Sequence, residues 1–230
     1  MRFSALFFDV GNTLVRMDYR FLAETLGTLS VRTTPGEVEM AECRARAEVD
    51  TLVALGLSTE SDEIRRRYFS EIFTSCGGGG DAAFADFFHR VCERSAEGKL
   101  FVSVPNGVYR ALNLLAATKC PLGVISNSDG TVRALLERLD LAHRFDFIVD
   151  SGVVGFEKPD PRIFEMACRL AGVAPAQASY IGDLPSVDHR GATEAGLDAS
   201  ILDPVGVWKG KRLRTFRTLE RYAEWVATGA

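Results

Sequence analysis

The sequence predicts an α/β protein: a Rossmann-like, doubly wound parallel sheet with an all-helical segment inserted after the first strand. Three observations support this prediction. A short apolar run, Phe3 to Phe8, ends in a polar, glycine-containing stretch typical of a strand that opens into a loop. From about Tyr19 to Ala96 the apolar residues recur at helical spacing, without the alternation of a strand. After Pro105, short apolar runs alternate with helical segments, as in parallel β-α units.

The same changes of pattern predict the domain boundaries. Residues 1–15 and 103–230 form the α/β part, which we call the core, and residues 16–102 form the helical part, which we call the insert. Within the insert, Leu22, Leu26 and Leu29 share one helical face. The glycine run Gly77 to Gly80 predicts a flexible connection between two helices of the insert.

Each predicted element of the core is a short apolar run or a segment with apolar residues three or four positions apart. Parallel strands joined through helices cross over in the right-handed sense, so the helices are expected to cover both faces of the sheet. In chain order the elements are strand Phe3–Phe8, helix Asn106–Ala117, strand Leu122–Ile125, helix Asp129–Leu139, strand Phe147–Val149, helix Pro161–Ala171, strand Ser179–Ile181, helix Ser186–Ala195, strand Ala199–Leu202 and a final helix from Phe216 to Val226.

Composition excludes several classes of protein. Of the 230 residues, 47% are hydrophobic and 25% are charged, as in a soluble globular protein. The 27 basic and 31 acidic residues give a net charge of −4, which argues against a general nucleic-acid binder. The sequence contains no run of about 18 apolar residues, so no membrane span is predicted. The five scattered cysteines form no CxxC pair, which indicates neither a disulfide framework nor a zinc site and favours a cytoplasmic location.

Polar side chains gather where the predicted strands end. Asp9 and Ser126 follow predicted strands directly, Asp183 follows one after Gly182, and Lys158 and Asp188 lie in later loops or turns. Ligands of an open parallel sheet bind beyond the carboxyl ends of its strands, so these groups are expected to meet. Carboxylates this close repel one another without a cation, and oxygen ligands on Asp9 and Asp183 suit Mg²⁺. Lys158 and Ser126 can bind an anion.

Each of these residues also has a simpler structural interpretation. Asp9 could cap a turn, Lys158 could be an exposed loop residue, and Asp188 could be an acid on a helix surface. Asn12, in the loop after Asp9, and Asn127, next to Ser126, could order their loops or contact a substrate. The candidate substrate-binding residues are Asn12, Ser126, Asn127 and Lys158.

Four segments resemble the motifs of the haloacid dehalogenase superfamily and occur in the family's order. The resemblance covers the whole core and implies that the insert is a helical cap of the subfamily I type. It also implies that Asp9 is the nucleophile and a metal ligand, with Ser126 and Lys158 binding the phosphoryl oxygens. The other implied participants in the Mg²⁺ site are the Gly11 carbonyl, Asp183, and Asp188 as a ligand or close neighbour. The motifs are FFDVGNTL (Phe7 to Leu14), VISNS (Val124 to Ser128), EKPDPRIF (Glu157 to Phe164) and IGDLPSVD (Ile181 to Asp188).

The first motif departs from the pattern of the family's phosphatases. Most of them carry a second aspartate two residues after the nucleophile, where it protonates the leaving group and then activates water. This chain has Gly11 at that position. A positioned acid or base contributes roughly 10²–10⁴-fold to the rate. The chain is therefore a slow phosphatase, a phosphatase that takes its base from the cap, or an enzyme of different chemistry.

Three alternatives to a phosphatase remain open at this point. Haloacid dehalogenases also lack the second aspartate. They differ from this chain in the fourth motif, where Asp183 and Asp188 resemble metal-binding residues, and they usually have tyrosine where this chain has Phe164. Phosphonatases use a cap lysine, whereas the first lysine of this chain is Lys99. The third alternative is a non-catalytic binding or regulatory protein on the same scaffold.

The residues together favour a Mg²⁺-dependent phosphohydrolase that forms an aspartyl phosphate on Asp9. A carboxylate that attacks phosphorus divides the hydrolysis into two easier steps, and a cation neutralises the phosphoryl group in flight. The expected partner is a small phosphorylated metabolite, rather than a nucleic acid or a membrane.

Overall fold

The computed structural model describes residues 2–229 of the chain. The chain divides into one unit of Met1–Val15 with Val104–Ala230 and a second unit of Arg16–Ser103. None of the helices within residues 2–229 combines the length and the apolar character that a membrane crossing requires. In chain order the principal elements are β1 (Ala5–Phe8), β2 (Arg16–Met17), α1 (Tyr19–Thr28), α2 (Pro35–Ala54), α3 (Asp62–Ser75), α4 (Asp81–Ala96), β3 (Phe101–Ser103), α5 (Asn106–Ala116), β4 (Leu122–Ser126), α6 (Val132–Arg138), β5 (Phe147–Asp150), α7 (Ser151–Val154), α8 (Pro161–Ala171), β6 (Ala178–Gly182), α9 (Arg190–Glu194), β7 (Asp198–Leu202), β8 (Thr215–Phe216) and α10 (Leu219–Thr228).

The core is built on a parallel sheet. Within residues 2–229, six strands pair in the order β5-β4-β1-β6-β7-β8, and every neighbouring pair is parallel. The chain winds outwards from β1 through β4 and β5 on one side and through β6, β7 and β8 on the other. This doubly wound order confirms the predicted fold class, and it brings the carboxyl ends of the strands to one edge of the sheet.

The central strand β1 is fixed by packing on both of its faces. Successive side chains of a strand point to opposite faces, so Phe7 and Phe8 anchor different sides of the sheet. The Phe7 ring lies 5.7 Å from that of Phe147, and the Phe8 ring lies 6.2 Å from that of Tyr222. Both phenylalanines are completely buried. This packing holds the next residue, Asp9, at the edge of the sheet.

The C-terminal boundary of the core differs from the prediction. The sequence pattern assigns Phe216 to the final helix, but Phe216 lies in β8 and pairs with Leu202 of β7. Helix α10 begins three residues later, where the Thr218 side chain accepts a hydrogen bond from the Arg221 N–H. A strand of two residues shows no alternation, so only the helical spacing was visible in the sequence.

The unit Arg16–Ser103, one residue longer than the predicted insert, contains four helices, α1 to α4, and a short antiparallel ribbon. The sequence predicts an all-helical insert, and the ribbon shows that this prediction was wrong in one respect. Arg16 of β2 pairs with Ser103 of β3, and Met17 pairs with Phe101. These strands of two and three residues are too short to show alternation. The run Gly77 to Gly80 joins α3 to α4, as predicted.

Helices α1, α2 and α3 of the insert are also joined by a buried polar cluster. The Glu42 carboxylate accepts two hydrogen bonds of 2.6 Å from the Arg46 guanidinium on the same helix. It also accepts hydrogen bonds from the hydroxyls of Tyr19 at 3.0 Å and Tyr68 at 2.5 Å. Burial alone would raise the pKa of Glu42, but Arg46 and the two hydroxyls outweigh it and hold the pKa below its ordinary value. The cluster therefore stabilises the insert while Glu42 is ionised.

Substitution Glu42→Gln is expected to destabilise the insert by about 3–5 kcal/mol at pH 7, because it removes the buried carboxylate that accepts two hydrogen bonds from the Arg46 guanidinium. The folded pKa of Glu42 lies below the unfolded one, so its contribution is present above the unfolded pKa and is lost as the pH falls through the folded pKa. The difference between the variant and wild type should therefore narrow on acidification. Denaturant unfolding at several pH values measures both effects.

The matched control is Glu24→Gln, which removes an exposed glutamate paired with Arg20 on α1. Exposed pairs of this kind contribute about 0.3–0.5 kcal/mol. Equal losses of stability in the two variants would contradict the role assigned to the buried cluster.

Candidate active site

The ammonium group of Lys158 lies at the centre of the polar residues at the sheet edge. Its Nζ donates to Asp9 Oδ1 at 2.6 Å, to Asp188 Oδ1 at 2.8 Å and to the Tyr180 hydroxyl at 3.0 Å. Lys158 is only 3% exposed, so these contacts replace its hydration. An ammonium has three hydrogens, and all three are engaged. Elements distant in sequence, β1, β6 and the loop before α8, therefore converge on one cation.

Asp188 is held by four hydrogen bonds. Its Oδ1 accepts from Lys158 and also from the Tyr180 hydroxyl at 2.6 Å. Its Oδ2 accepts from the backbone N–H groups of Asp183 at 3.0 Å and Leu184 at 2.9 Å. A carboxylate offers about four acceptor positions, and those of Asp188 are filled by protein donors. The residue therefore orients Lys158 and closes the turn that follows β6.

A turn of π-helix, Pro185–His189, presents Asp188 to this site. The sequence pattern predicts a regular helix from Ser186, but α9 begins only at Arg190. A π-turn accommodates one extra residue and often occurs at functional sites. Here the Asp188 carboxylate accepts hydrogen bonds from the N–H groups of Asp183 and Leu184, which precede the turn, and these bonds fix the local conformation.

The backbone of Lys158 is held by Asn127, the residue after β4. Asn127 Oδ1 accepts from the Lys158 N–H at 2.7 Å, and Asn127 Nδ2 donates to the Lys158 carbonyl at 2.9 Å. Ser126, also buried, ends β4, and its hydroxyl makes a long contact of 3.4 Å with the Asn127 carbonyl. The hydroxyl of Ser126 is thus placed at the sheet edge without a strong hydrogen bond to the protein.

The loop after β4 is fixed by Asp150, the last residue of β5, and Ser151, the first residue of α7, neither of which was predicted from the sequence. Asp150 accepts hydrogen bonds from the N–H groups of Gly130, Gly152 and Val132 at 3.0–3.1 Å. The Ser151 hydroxyl exchanges two hydrogen bonds with the backbone of the same loop. These contacts delay the start of α6 to Val132, later than predicted. The available signal was an acid directly after the apolar run of β5.

The segment after Asp9 forms a tight turn. The N–H of Asn12 donates to the Val15 carbonyl at 2.7 Å, and the N–H groups of Leu14 and Val15 donate to the Val10 carbonyl at 2.9 Å. Asn12 is buried and has a φ of 56°, a left-handed conformation that asparagine tolerates. Gly11 is partly exposed in this turn. The turn follows β1 directly, as expected for a loop at the carboxyl end of a strand.

Burial and mutual charge set the ionisation of the site. Burial raises the pKa of Asp9 above its ordinary value; the Lys158 ammonium opposes the shift, and the Asp188 charge adds to it. Burial would lower the pKa of Lys158, but the carboxylates of Asp188 and Asp9 outweigh it and raise the pKa. Burial, reinforced by Asp188 and Asp9, raises the pKa of Tyr180 well above its ordinary value. Lys158 therefore remains an ammonium and Tyr180 remains a hydrogen-bond donor.

The charge of the site suits a divalent cation. Asp9, Asp183 and Asp188 are all buried, and Lys158 is the ammonium among them. By formal charge, three carboxylates and one ammonium leave two negative charges, which is the charge that a divalent metal ion balances. No group of three or more His, Cys, Asp or Glu side chains in residues 2–229 is arranged to hold a metal ion. A Mg²⁺ site needs fewer protein side chains than that, because the ion usually keeps several waters and binds through one or two carboxylates.

The structure brings most of the predicted site residues together. Asp9, Lys158 and Asp188 form one hydrogen-bonded group, to which Asn127 is joined through the Lys158 backbone. Asp183 joins it through its own N–H. Ser126 ends strand β4, and Asn12 lies in the turn that follows β1. Tyr180 was missed, because a tyrosine inside an apolar strand gives no sign that its hydroxyl reaches a charged site.

Comparison with known proteins assigns the chain to a family. Residues 6–201 match the haloacid dehalogenase-like hydrolase family. The haloacid dehalogenase-like hydrolase domain-containing protein 3 of Bos taurus is 41% identical over 81 residues, 35% of this chain and 32% of that protein. A phosphoserine phosphatase of Thermus thermophilus is 34% identical over 163 residues, 69% of this chain and 59% of that protein. The chain thus spans less than two thirds of either relative.

Similarity of structure extends over nearly the whole chain. The crystal structure of a 2-haloacid dehalogenase from Pseudomonas syringae pv. Tomato DC3000 superimposes with a TM-score of 0.60 and 25% identity, covering 99% of this chain and 100% of the other. The family match covers most of the chain and contains Asp9, Lys158 and Asp183. Both the fold and the sequence therefore show that this protein belongs to the haloacid dehalogenase-like hydrolases.

Proposed function

We propose that this hydrolase is a Mg²⁺-dependent phosphohydrolase that acts on a small phosphorylated metabolite through an aspartyl phosphate on Asp9. The observation that carries the proposal is the buried Lys158 ammonium, fixed 2.6 Å from Asp9 Oδ1 and 2.8 Å from Asp188 Oδ1. A cation held beside a nucleophilic carboxylate suits an anionic group such as phosphate. The similarity to a phosphoserine phosphatase over 69% of the chain supports the same class of reaction.

Asp9 supplies the nucleophile of this reaction. One of its oxygens forms a bond to phosphorus while the bond from phosphorus to the leaving oxygen breaks. Water then attacks the acyl phosphate, which releases inorganic phosphate and restores the carboxylate. Lys158 offsets the charge of the phosphoryl oxygens, and the weakly bonded hydroxyl of Ser126 donates to one of them. The Asn127 amide forms hydrogen bonds with the N–H and the carbonyl of Lys158. We therefore assign Asn127 to positioning Lys158 rather than to direct contact with the substrate.

The Mg²⁺ ligands in this proposal are the carboxylates of Asp9 and Asp183 and the Gly11 carbonyl. Asp188, a candidate ligand in the sequence analysis, is reassigned because its acceptor positions are filled by Lys158, Tyr180 and two N–H groups. When bound, the ion neutralises phosphoryl charge and orients the group for in-line attack. Asn12 remains a candidate for substrate binding from the turn after Asp9.

The absence of an acid at Gly11 predicts a preference among leaving groups. A phenolate leaves without a proton, whereas an alkoxide needs one, so kcat/KM is expected to favour aryl over alkyl phosphates by about 10²-fold or more. Phosphate release from both classes, measured with Mg²⁺ and with EDTA, tests the proposal. We expect turnover only with Mg²⁺ and its recovery when Mg²⁺ is restored. Undiminished phosphate release in EDTA would exclude the metal-dependent reaction.

Dehalogenation is the second candidate function, favoured by two observations. A 2-haloacid dehalogenase shares the fold at 25% identity, and Gly11 replaces the acid of the phosphatases. In that reaction the Asp9 carboxylate would displace halide from carbon and would need no metal ion. Halide release from a 2-haloacid in the presence of EDTA, without phosphate release in Mg²⁺, would select this function over the first.

A further inference from the structure

We infer that Tyr180 is a positioning residue that holds Lys158 and Asp188 in the geometry of the proposed reaction. Its hydroxyl accepts a hydrogen bond from Lys158 Nζ at 3.0 Å and donates one to Asp188 Oδ1 at 2.6 Å. The same hydroxyl is therefore an acceptor towards the cation and a donor towards the carboxylate. This inference rests on the proposed function, because it concerns how Lys158 is presented to a phosphoryl group.

The Tyr180 ring gives the hydroxyl a fixed position. Tyr180 lies within β6, which is paired with β1 on one side and β7 on the other. Its side chain is completely buried, and its ring contacts the Phe164 ring edge-to-face at 5.0 Å. Phe164 is also completely buried, in helix α8. A side chain confined in this way keeps its polar atom in place, whereas a long lysine side chain has many rotamers.

The hydroxyl completes the set of contacts that confines Lys158. Its other two acceptors are Asp9, the nucleophile, and Asp188. Without the hydroxyl, one ammonium hydrogen loses its acceptor and Asp188 loses one of its four donors. Lys158 would then settle between the two carboxylates, with fewer constraints on its direction. The Lys158 ammonium, which stabilises charge in the transition state, would then be less well placed, although Lys158, Asp9 and Asp188 are all still present.

Tyr180→Phe removes this hydroxyl and keeps the ring. We expect kcat to fall about tenfold and KM to change less than about twofold, because lost positioning affects the transition state more than binding. The inhibition constant of orthovanadate, which imitates the five-coordinate phosphorus, should rise by the same factor as kcat falls. A purely structural role would lower stability without this matched change.

Tyr222→Phe is the matched control. Tyr222 is equally buried, and its hydroxyl donates one hydrogen bond of 2.9 Å to the Ser179 hydroxyl. We expect this variant to lose stability and to keep the kcat and the vanadate inhibition constant of wild type. The inference about Tyr180 would be overturned if Tyr180→Phe had the kinetics of wild type, or if Tyr180→Phe and Tyr222→Phe lost the same factor in kcat. Either result would leave the proposed function standing. A wild-type enzyme that hydrolyses no phosphate ester would overturn the proposed function as well.

Discussion

Replacing Asp9 by asparagine is expected to lower turnover by a factor of about 10⁴ or more, because the amide cannot act as the nucleophile. The loss should appear in kcat for every phosphate ester, since each must pass through the same covalent step. Aryl phosphate hydrolysis at saturating Mg²⁺ measures it. Phosphate release by Asp9→Asn at a rate near that of wild type would remove Asp9 from the reaction.

The same substitution is expected to leave the fold intact, with an equal or higher melting temperature in EDTA. The pKa of Asp9 is raised in the folded state by burial, so its contribution to stability is complete below the unfolded pKa and is lost as the pH rises through the folded pKa. Once ionised, the Asp9 carboxylate therefore opposes folding, and a neutral amide of the same shape relieves that effect. Loss of activity with gain of stability is typical of functional residues.

Asp203→Asn serves as the matched control for Asp9→Asn. Asp203 also follows a strand of the sheet, but its two oxygens accept from the N–H groups of Gly206, Val207 and Trp208 at 2.8–3.0 Å. An amide supplies only one acceptor oxygen, so we expect a loss of about 1–3 kcal/mol in stability with turnover retained. Asp9→Asn should therefore lose turnover and keep or gain stability, whereas Asp203→Asn should keep turnover and lose stability.

Replacing Gly182 by alanine is expected to lower kcat/KM by about 10²-fold, because the new methyl group would displace a residue of the site. A Cβ at Gly182 would overlap Asp188 Cγ, and it would lie 2.5 Å from Asp188 Oδ2 and 2.6 Å from Asp188 Cβ. Asp188 would have to move as a whole, and Lys158 and Tyr180 would lose their shared acceptor. Steady-state kinetics of the variant on an aryl phosphate measures the loss.

Gly27→Ala provides the control for this substitution. Gly27 lies in α1 of the insert, and a Cβ there would meet no atom within 4 Å. Alanine in a helix is favoured over glycine by about 0.5–1 kcal/mol, so the variant should be slightly more stable, with unchanged kinetics. If Gly182→Ala kept the kcat/KM of wild type, Asp188 could not be the residue that orients Lys158.

The sequence predicted the sheet because its strands are buried and their apolar runs are separated by helices of clear period. It also predicted that these polar residues come together, for a topological reason: residues at the carboxyl ends of parallel strands meet at one edge. Asp9, Lys158 and Asp188, which are up to 179 residues apart, meet there through hydrogen bonds. The topology thus predicted that these residues lie close together, and their roles in the reaction stay a proposal.

What the sequence could not predict depended on single atoms or on very short elements. The hydroxyl of Tyr180 and the carboxylate of Asp150 act through contacts whose geometry only the folded chain supplies. The strands β2, β3 and β8 have two or three residues and show no period. Asp188 was recognised as part of the site, but its role depends on which donors fill its oxygens. Hydrogen-bond partners of this kind leave no pattern in a single sequence.

The most direct test of the central claim is to detect the phosphoryl group on Asp9. Wild-type enzyme with Mg²⁺ and an aryl phosphate would be quenched in acid during turnover, digested and analysed by peptide mass spectrometry. We predict one added phosphoryl group on the peptide that contains Asp9, accumulating because no acid or base at Gly11 assists the attack of water. Phosphate release by the wild type with no phosphoryl group on this peptide would contradict the covalent reaction at Asp9.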